Sequence, residues 1–166
     1  MQMLWQEKNG QSGHEVAMAL LRQLYREKTG HDLPEIARTP QGKPYFPHDD
    51  HYFSISHTHT HAFCCLHTQP VGIDAEPCGR PVNLALAQRY FSPAEQTQLA
   101  ASADPNRTFL RLWVLKESYA KLTGKGIGNY LKSTNFSETS QLIQEIDGHY
   151  VSVLTENDCK ELCYAV

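Results

Sequence analysis

The 166-residue chain is 40% apolar and 20% charged, with 15 Lys plus Arg against 18 Asp plus Glu for a net charge of −3. This ordinary globular composition excludes a wholly disordered, collagen-like or low-complexity chain. It also lacks the basic footprint of a general nucleic-acid binder, although a local anion site is compatible with it. The length suits one compact domain or two small lobes sharing a core.

Five cysteines (Cys64, Cys65, Cys78, Cys159 and Cys163) are an odd number with no metal-knuckle or disulfide-framework spacing. Reduced thiols in a cytoplasmic protein follow. Residues 1–13 lack the basic start and apolar core of a signal peptide. No apolar run is long enough to span a bilayer, so no membrane contact is expected.

In chain order, Gln2 to Gln6 suits a short strand. His14 to Lys28 carries Val16, Ala19, Leu20 and Leu24 at helical spacing, and Gly30 ends that helix. A turn at Pro40-Gln41-Gly42 precedes Lys43. Strands follow at Tyr52 to Ser56, Ala62 to His67 and Val71 to Glu76. Helices then take over: Leu84 to Tyr90, a second from Ser92-Pro93-Ala94-Glu95 with the pattern of a capping box, and a third from about Asn106 to Thr123. The tail alternates again, giving strands at Thr134 to Phe136, Gln141 to Glu145, Tyr150 to Leu154 and Glu161 to Val166. Strands that cluster by sequence neighbourhood predict an α+β fold with antiparallel sheets.

Several residues can carry chemistry. Asp74 and Glu76 are two apart at a strand end, so their carboxylates share a face and need a cation. Hard oxygen ligands suit Mg²⁺ (Mn²⁺ is also compatible); a plain surface DxE is the alternative. Trp113, Glu117 and Lys121 share one helix face. A surface ion pair of Glu117 with Lys121 is the simple explanation, but Trp113 on the same stripe argues for burial, and a buried carboxylate needs a partner. Ser56 and His57 end a strand; neighbouring side chains point apart there, so they are donors to a phosphate or adenine edge rather than a catalytic pair. His57, His59 and His61 read as a polar turn, not a zinc site. Lys43 sits on a stiff turn. Glu95 is assigned to helix capping.

In order, the chain shows GKPYF (42–46), FSISHT (53–58), VGIDAE (71–76), RYFSPAE (89–95) and WVLKESYAKLTGKGI (113–127). This set resembles the 4′-phosphopantetheinyl transferases of the Sfp-like, two-lobed type. The resemblance implies two pseudo-symmetric lobes, each a small antiparallel sheet packed with helices. They would divide into a shortened N-terminal lobe at 1–68 and a C-terminal lobe carrying the metal site at 69–166. Only 41 residues precede Gly42, and Gln11-Ser12-Gly13-His14 stands where the family often has an Arg. The resemblance implies transfer of the phosphopantetheine arm of coenzyme A to a serine of an apo acyl or peptidyl carrier protein, releasing 3′,5′-ADP. It places Mg²⁺ on Asp74, Glu76 and Glu117 and makes Glu117 the base. It puts Lys116 and Lys121 on the pyrophosphate, with Lys121 also assisting the leaving phosphate. Lys43, Ser56 and His57 would bind the 3′-phosphoadenosine. It places carrier docking at residues 78–91, with Arg80 and Arg89 at the rim, and favours a monomer. Two other functions share these residues: carrier-independent hydrolysis of coenzyme A-type pyrophosphates, and a degenerate binding module without turnover.

Overall fold

The computed structural model describes residues 2–163, with the backbone alone for 160–163. Its first half contains β1 (Gln2–Glu7), α1 (Gly13–Thr29), β2 (Ala37–Arg38), β3 (Pro44–Tyr45), β4 (Tyr52–His57) and β5 (His61–His67). β1, β5 and β4 form an antiparallel sheet in that order, and β2 pairs with β3. The apolar stripe of α1 (Val16, Ala17, Leu20, Leu21 and Leu24) packs with Phe53, Ala62, Cys64 and Leu66. Gly30 closes the helix in the left-handed conformation, at φ 76°.

The second half contains β6 (Val71–Pro77), α2 (Ala85–Tyr90), α3 (Pro93–Ala101), α4 (Pro105–Thr123), a 3-10 turn (Asn129–Ser133), β7 (Ile143–Ile146), β8 (His149–Thr155) and α5 (Glu156–Cys163). Its antiparallel sheet has the order β6-β8-β7. Phe91, Phe109 and Trp113 form its aromatic core, with Phe109 5.0 Å from Phe91 and 5.6 Å from Trp113 between ring centroids. Asp147 and Gly148 at φ 45° and 71° make the tight turn that joins β7 to β8.

Both halves therefore run strand, helix, hairpin, and both order their strands first, third, second. A third apolar cluster joins them: Phe63 and Cys65 from the first half with Val71, Ile73, Ala75 and Val151 from the second. The fold is α+β, as the chain-order reading expects. No helix among the described residues is long and apolar enough to cross a membrane. Cys64, Cys65, Cys78 and Cys159 form no disulfide.

Two expected strands are corrected. Thr134 to Phe136 is irregular, because side chains take its backbone groups: Lys116 donates to the Thr134 carbonyl at 3.0 Å, and the Phe136 N–H donates to Glu95 at 2.8 Å. Of Glu161 to Val166, residues 161–163 are helical and 164–166 lie outside the described residues. The Thr155 N–H and hydroxyl donate to Asp158 Oδ2 at 2.7 and 2.6 Å, and Glu156 and Asp158 stand in the first turn of α5, where carboxylates favour a helix start.

Candidate functional site

The two sheets meet where the edge of β4 faces the edge of β6. Ser54 and Ser56 alternate onto that side of β4. The Ile73 N–H donates to Ser54 Oγ at 3.1 Å, and Ser56 Oγ donates to Asp74 Oδ1 at 2.9 Å. Serine hydroxyls thus close the joint.

Asp74 is 4% exposed. Its Oδ1 also accepts from Lys121 Nζ at 2.7 Å, whereas its Oδ2 is buried with no hydrogen-bond partner. An orphaned carboxylate oxygen is costly unless something else satisfies it. α4 delivers Glu117 and Lys121 to this acid because Gly72 lets the helix backbone lie against β6. A Cβ at Gly72 would stand 2.1 Å from the Ser118 carbonyl oxygen and 2.4 Å from the Leu122 nitrogen. Ser118 Oγ donates to the Ser152 carbonyl at 2.9 Å and fixes the helix over β8.

Burial and the neighbouring Asp74, aided by Glu76, push the Glu117 carboxyl up to about 7 against the opposing pull of Lys121 and a hydrogen bond with Trp113. Glu76 is raised by burial and by Asp74, while Arg80 opposes the shift. Arg80 grips both oxygens of Glu76, at 2.7 and 2.8 Å. Asp74, Glu76, Glu117, Lys121, Ser56 and His57 line one recess of about 740 Å³. A second recess of about 310 Å³ shares Glu117 and Lys121 and is walled by Lys43, Phe53 and Ile127. Lys43 Nζ donates to the Leu122 carbonyl at 2.7 Å, reaching from the first half to the end of α4, and burial lowers its pKa. His57 sits on the rim over Gly13. Partial burial and then Lys8, Lys121 and His14 lower its pKa.

The structure brings together Asp74, Glu76, Glu117, Lys121, Ser56 and His57, with Lys43 across the adjoining recess. It does not bring Lys116. That side chain is fully buried on the opposite side of α4, paired with Glu95 at 2.7 Å and donating to the Leu131 carbonyl at 2.6 Å. One residue along a helix turns the side chain by about 100°, so Lys116 and Glu117 face different surroundings. The capping box at Ser92 and Glu95 is present. Within the segment 78–91 expected to dock a carrier, Phe91 is core and Leu84 is exposed. Sequence reasoning missed Gly72 as the seat of α4, Ser56 as the hydroxyl that orients Asp74, and Arg80 as the partner of Glu76. No local spacing announced these: Glu76 is on a strand and Arg80 in the turn after it, where the helical i, i+4 rule does not apply.

Among the described residues, no three His, Cys, Asp or Glu side chains close into a metal-holding cluster. Instead, Lys121 and Arg80 meet the acids. The donor set still fits a hard divalent cation: the carboxylates of Asp74, Glu76 and Glu117 line one recess, and Asp74 Oδ2 is unpaired.

Comparison with known proteins gives a consistent result. A family model described as the 4′-phosphopantetheinyl transferase superfamily matches residues 70–164. A 4′-phosphopantetheinyl transferase of Bacillus subtilis is 35% identical over 126 residues, covering 72% of this chain and 56% of the relative. The 4′-phosphopantetheinyl transferase Sfp of Bacillus subtilis strain 168 is 40% identical over 119 residues, or 69% and 53% of the two chains. The 4′-phosphopantetheinyl transferase psf-1 of Bacillus pumilus is 32% identical over 140 residues, or 82% and 56%. The chain spans about half the length of these curated relatives.

Proposed function

The chain belongs to the 4′-phosphopantetheinyl transferase superfamily, and from that premise we propose that it transfers the 4′-phosphopantetheine arm of coenzyme A to a serine of an apo carrier protein, with Mg²⁺, releasing 3′,5′-ADP. The observation that carries this reading is the buried Asp74 with its unpaired Oδ2, set beside Glu117 and Lys121 in the recess between the sheets.

In this reading residues 1–68 and 69–166 act as two lobes with coenzyme A between them. Asp74, Glu76 and Glu117 would hold the Mg²⁺ ion, which neutralises charge on the pyrophosphate when bound. Glu117 takes the proton of the carrier serine. The serine oxygen bonds to the phosphorus that bears the pantetheine arm, and the bond from that phosphorus to the 3′,5′-ADP oxygen breaks. Lys121 steadies the departing phosphate, and His57 and Lys43 flank the nucleotide. Ser56 serves through Asp74, since its hydroxyl already donates there. Such a transfer depends on positioning and charge neutralisation more than on covalent catalysis. Lys121 and a divalent cation held by the three carboxylates would supply both. Ser56 and His57 of the first half line the same recess as Asp74 and Glu117 of the second, which supports a monomer, and the reading places it in the cytoplasm, where thiols stay reduced.

The test is a mass-shift assay of apo carrier proteins from fatty-acid, polyketide and peptide synthetases with coenzyme A and Mg²⁺. A carrier heavier by one phosphopantetheine arm is the expected result. Release of 3′,5′-ADP at the same rate without any carrier would overturn transfer in favour of hydrolysis.

A further inference from the structure

Arg80 engages both oxygens of Glu76, Nε to Oε2 at 2.7 Å and Nη2 to Oε1 at 2.8 Å. This is the planar fork that matches a carboxylate. The side chain springs from a fixed base. The Arg80 N–H donates to the Pro77 carbonyl at 3.1 Å, and the Cys78 N–H donates to the Gly148 carbonyl at 2.9 Å. Asn106, in the first turn of α4, donates to the Arg80 carbonyl at 2.9 Å and accepts from the Val82 N–H at 3.2 Å. The turn is thus tied to β8's hairpin on one side and to α4 on the other. The Glu76 side chain is 15% exposed and that of Arg80 39%, so the guanidinium has solvent into which it can move. Both residues line the recess that holds Asp74, Glu117 and Lys121.

We propose that Arg80 is a positioning residue that serves as the internal counter-ion of Glu76. It holds that carboxylate while no divalent cation is bound, and it exchanges Glu76 for a phosphate oxygen when the cation and the phosphate-bearing co-substrate enter together. The identity of the co-substrate rests on the proposed function; the competition between Arg80 and a cation for Glu76 does not. Two consequences follow. A divalent cation alone binds weakly, because Arg80 must first be displaced. Cation and co-substrate bind with positive coupling, because each gives a displaced charge its new partner.

The experiment titrates Mn²⁺ into metal-free protein without nucleotide and reads free Mn²⁺ by electron paramagnetic resonance. Arg80→Met is expected to bind Mn²⁺ about two- to fivefold more tightly than wild type, the range of a partly exposed ion pair. Glu76→Gln is expected to change Mn²⁺ affinity little in the wild-type background and to reverse the gain in the Arg80→Met background. Arg80→Lys, which loses the fork but keeps the charge, falls between. Equal affinity in wild type and Arg80→Met overturns the proposal. So does a variant altered only in its KM for carrier protein, which would place Arg80 on a docking rim. If Arg80→Met does not fold, wild type carries the test: Mn²⁺ affinity with and without coenzyme A, corrected for Mn²⁺ held by coenzyme A itself, must show coupling, and its absence overturns the proposal. A protein that shows these Mn²⁺ effects but never modifies a carrier refutes the transferase reading and leaves the counter-ion intact.

Discussion

The two halves share a topology and differ in what they bury. Aligned by their last strands, β5 from His61 and β8 from His149, Leu4 of β1 corresponds to Asp74 of β6: Leu4 pairs with Cys64 and Asp74 with Ser152. The helix and sheet of the first half meet through aliphatic and aromatic side chains. The second half encloses Asp74, Glu95, Lys116, Ser118, His149 and Ser152 in the same architecture. A buried charge destabilises unless it is fully partnered. One copy of the motif therefore serves as support, and the other holds charges whose cost the shared cluster of Phe63, Ile73 and Val151 helps to offset.

Substitutions at corresponding positions break the comparison most sharply. Asp74→Asn is expected to lower carrier modification by about a thousandfold, by analogy with the loss of a charge-stabilising group at a reacting centre, with the fold intact by circular dichroism. Leu4→Ala, its counterpart, is expected to leave turnover unchanged and cost about 1–2 kcal/mol in urea denaturation. Equal losses of turnover at both sites would end the division of roles.

Lys116→Met tests the buried charge that has no access to the recess. Leaving Glu95 without its cation is expected to cost about 3–5 kcal/mol, and Lys116→Met with Glu95→Gln to recover much of it. Retained stability in the single variant would show that Glu95 is sustained by its bonds to Ser92 and Phe136 alone.

Glu117→Gln should act in the opposite direction. Burial and the charges of Asp74 and Glu76 disfavour the ionised carboxylate. Removing its charge is expected to raise the melting temperature measured in EDTA by roughly 3–6 °C and to abolish transfer assayed with Mg²⁺. A lower melting temperature would mean that the pull of Lys121 dominates.

The smallest effect concerns pH. His149 Nδ1 donates to the Asp147 carbonyl at 2.7 Å, its Nε2 accepts from Thr58 at 3.0 Å, and its ring meets His61 at 4.7 Å. Burial lowers its pKa, with His61 adding to the shift. The folded protein thus favours the neutral ring. This stability is present above the unfolded pKa of about 6.5 and is lost as pH falls through it toward the lower folded value. Between about pH 7.5 and 5.5, wild type should lose up to about 1 kcal/mol relative to His149→Gln. Parallel stability profiles would contradict this.

Much of this was legible in the sequence. Helical spacing located α1 and α4, the capping box located α3, and the DxE pair with Glu117 and Lys121 located the acids. The missing parts depend on which surface each element turns inward. Lys116 and Glu117 are neighbours in sequence, but only packing against α3 and the 3-10 turn decides which of them is buried. Gly72 reads as a weak strand residue until the backbone of α4 is seen to need its missing side chain. The last helix was hidden because residues 161–166 carry a short apolar run that suits a strand, whereas Thr155 and Asp158 start a helix locally.

The serine joint between β4 and β6 has a consequence for solubility. Each is the outer strand of its own sheet, and such strands recruit other chains when uncovered. β6 is buried from Val71 through Ala75. Here the two edges shield each other through two hydroxyls and a shared apolar cluster, without a backbone ladder. Separation of the halves would dismantle the recess and expose two adhesive edges at once. Loss of activity on mild heating and the onset of aggregation should therefore coincide.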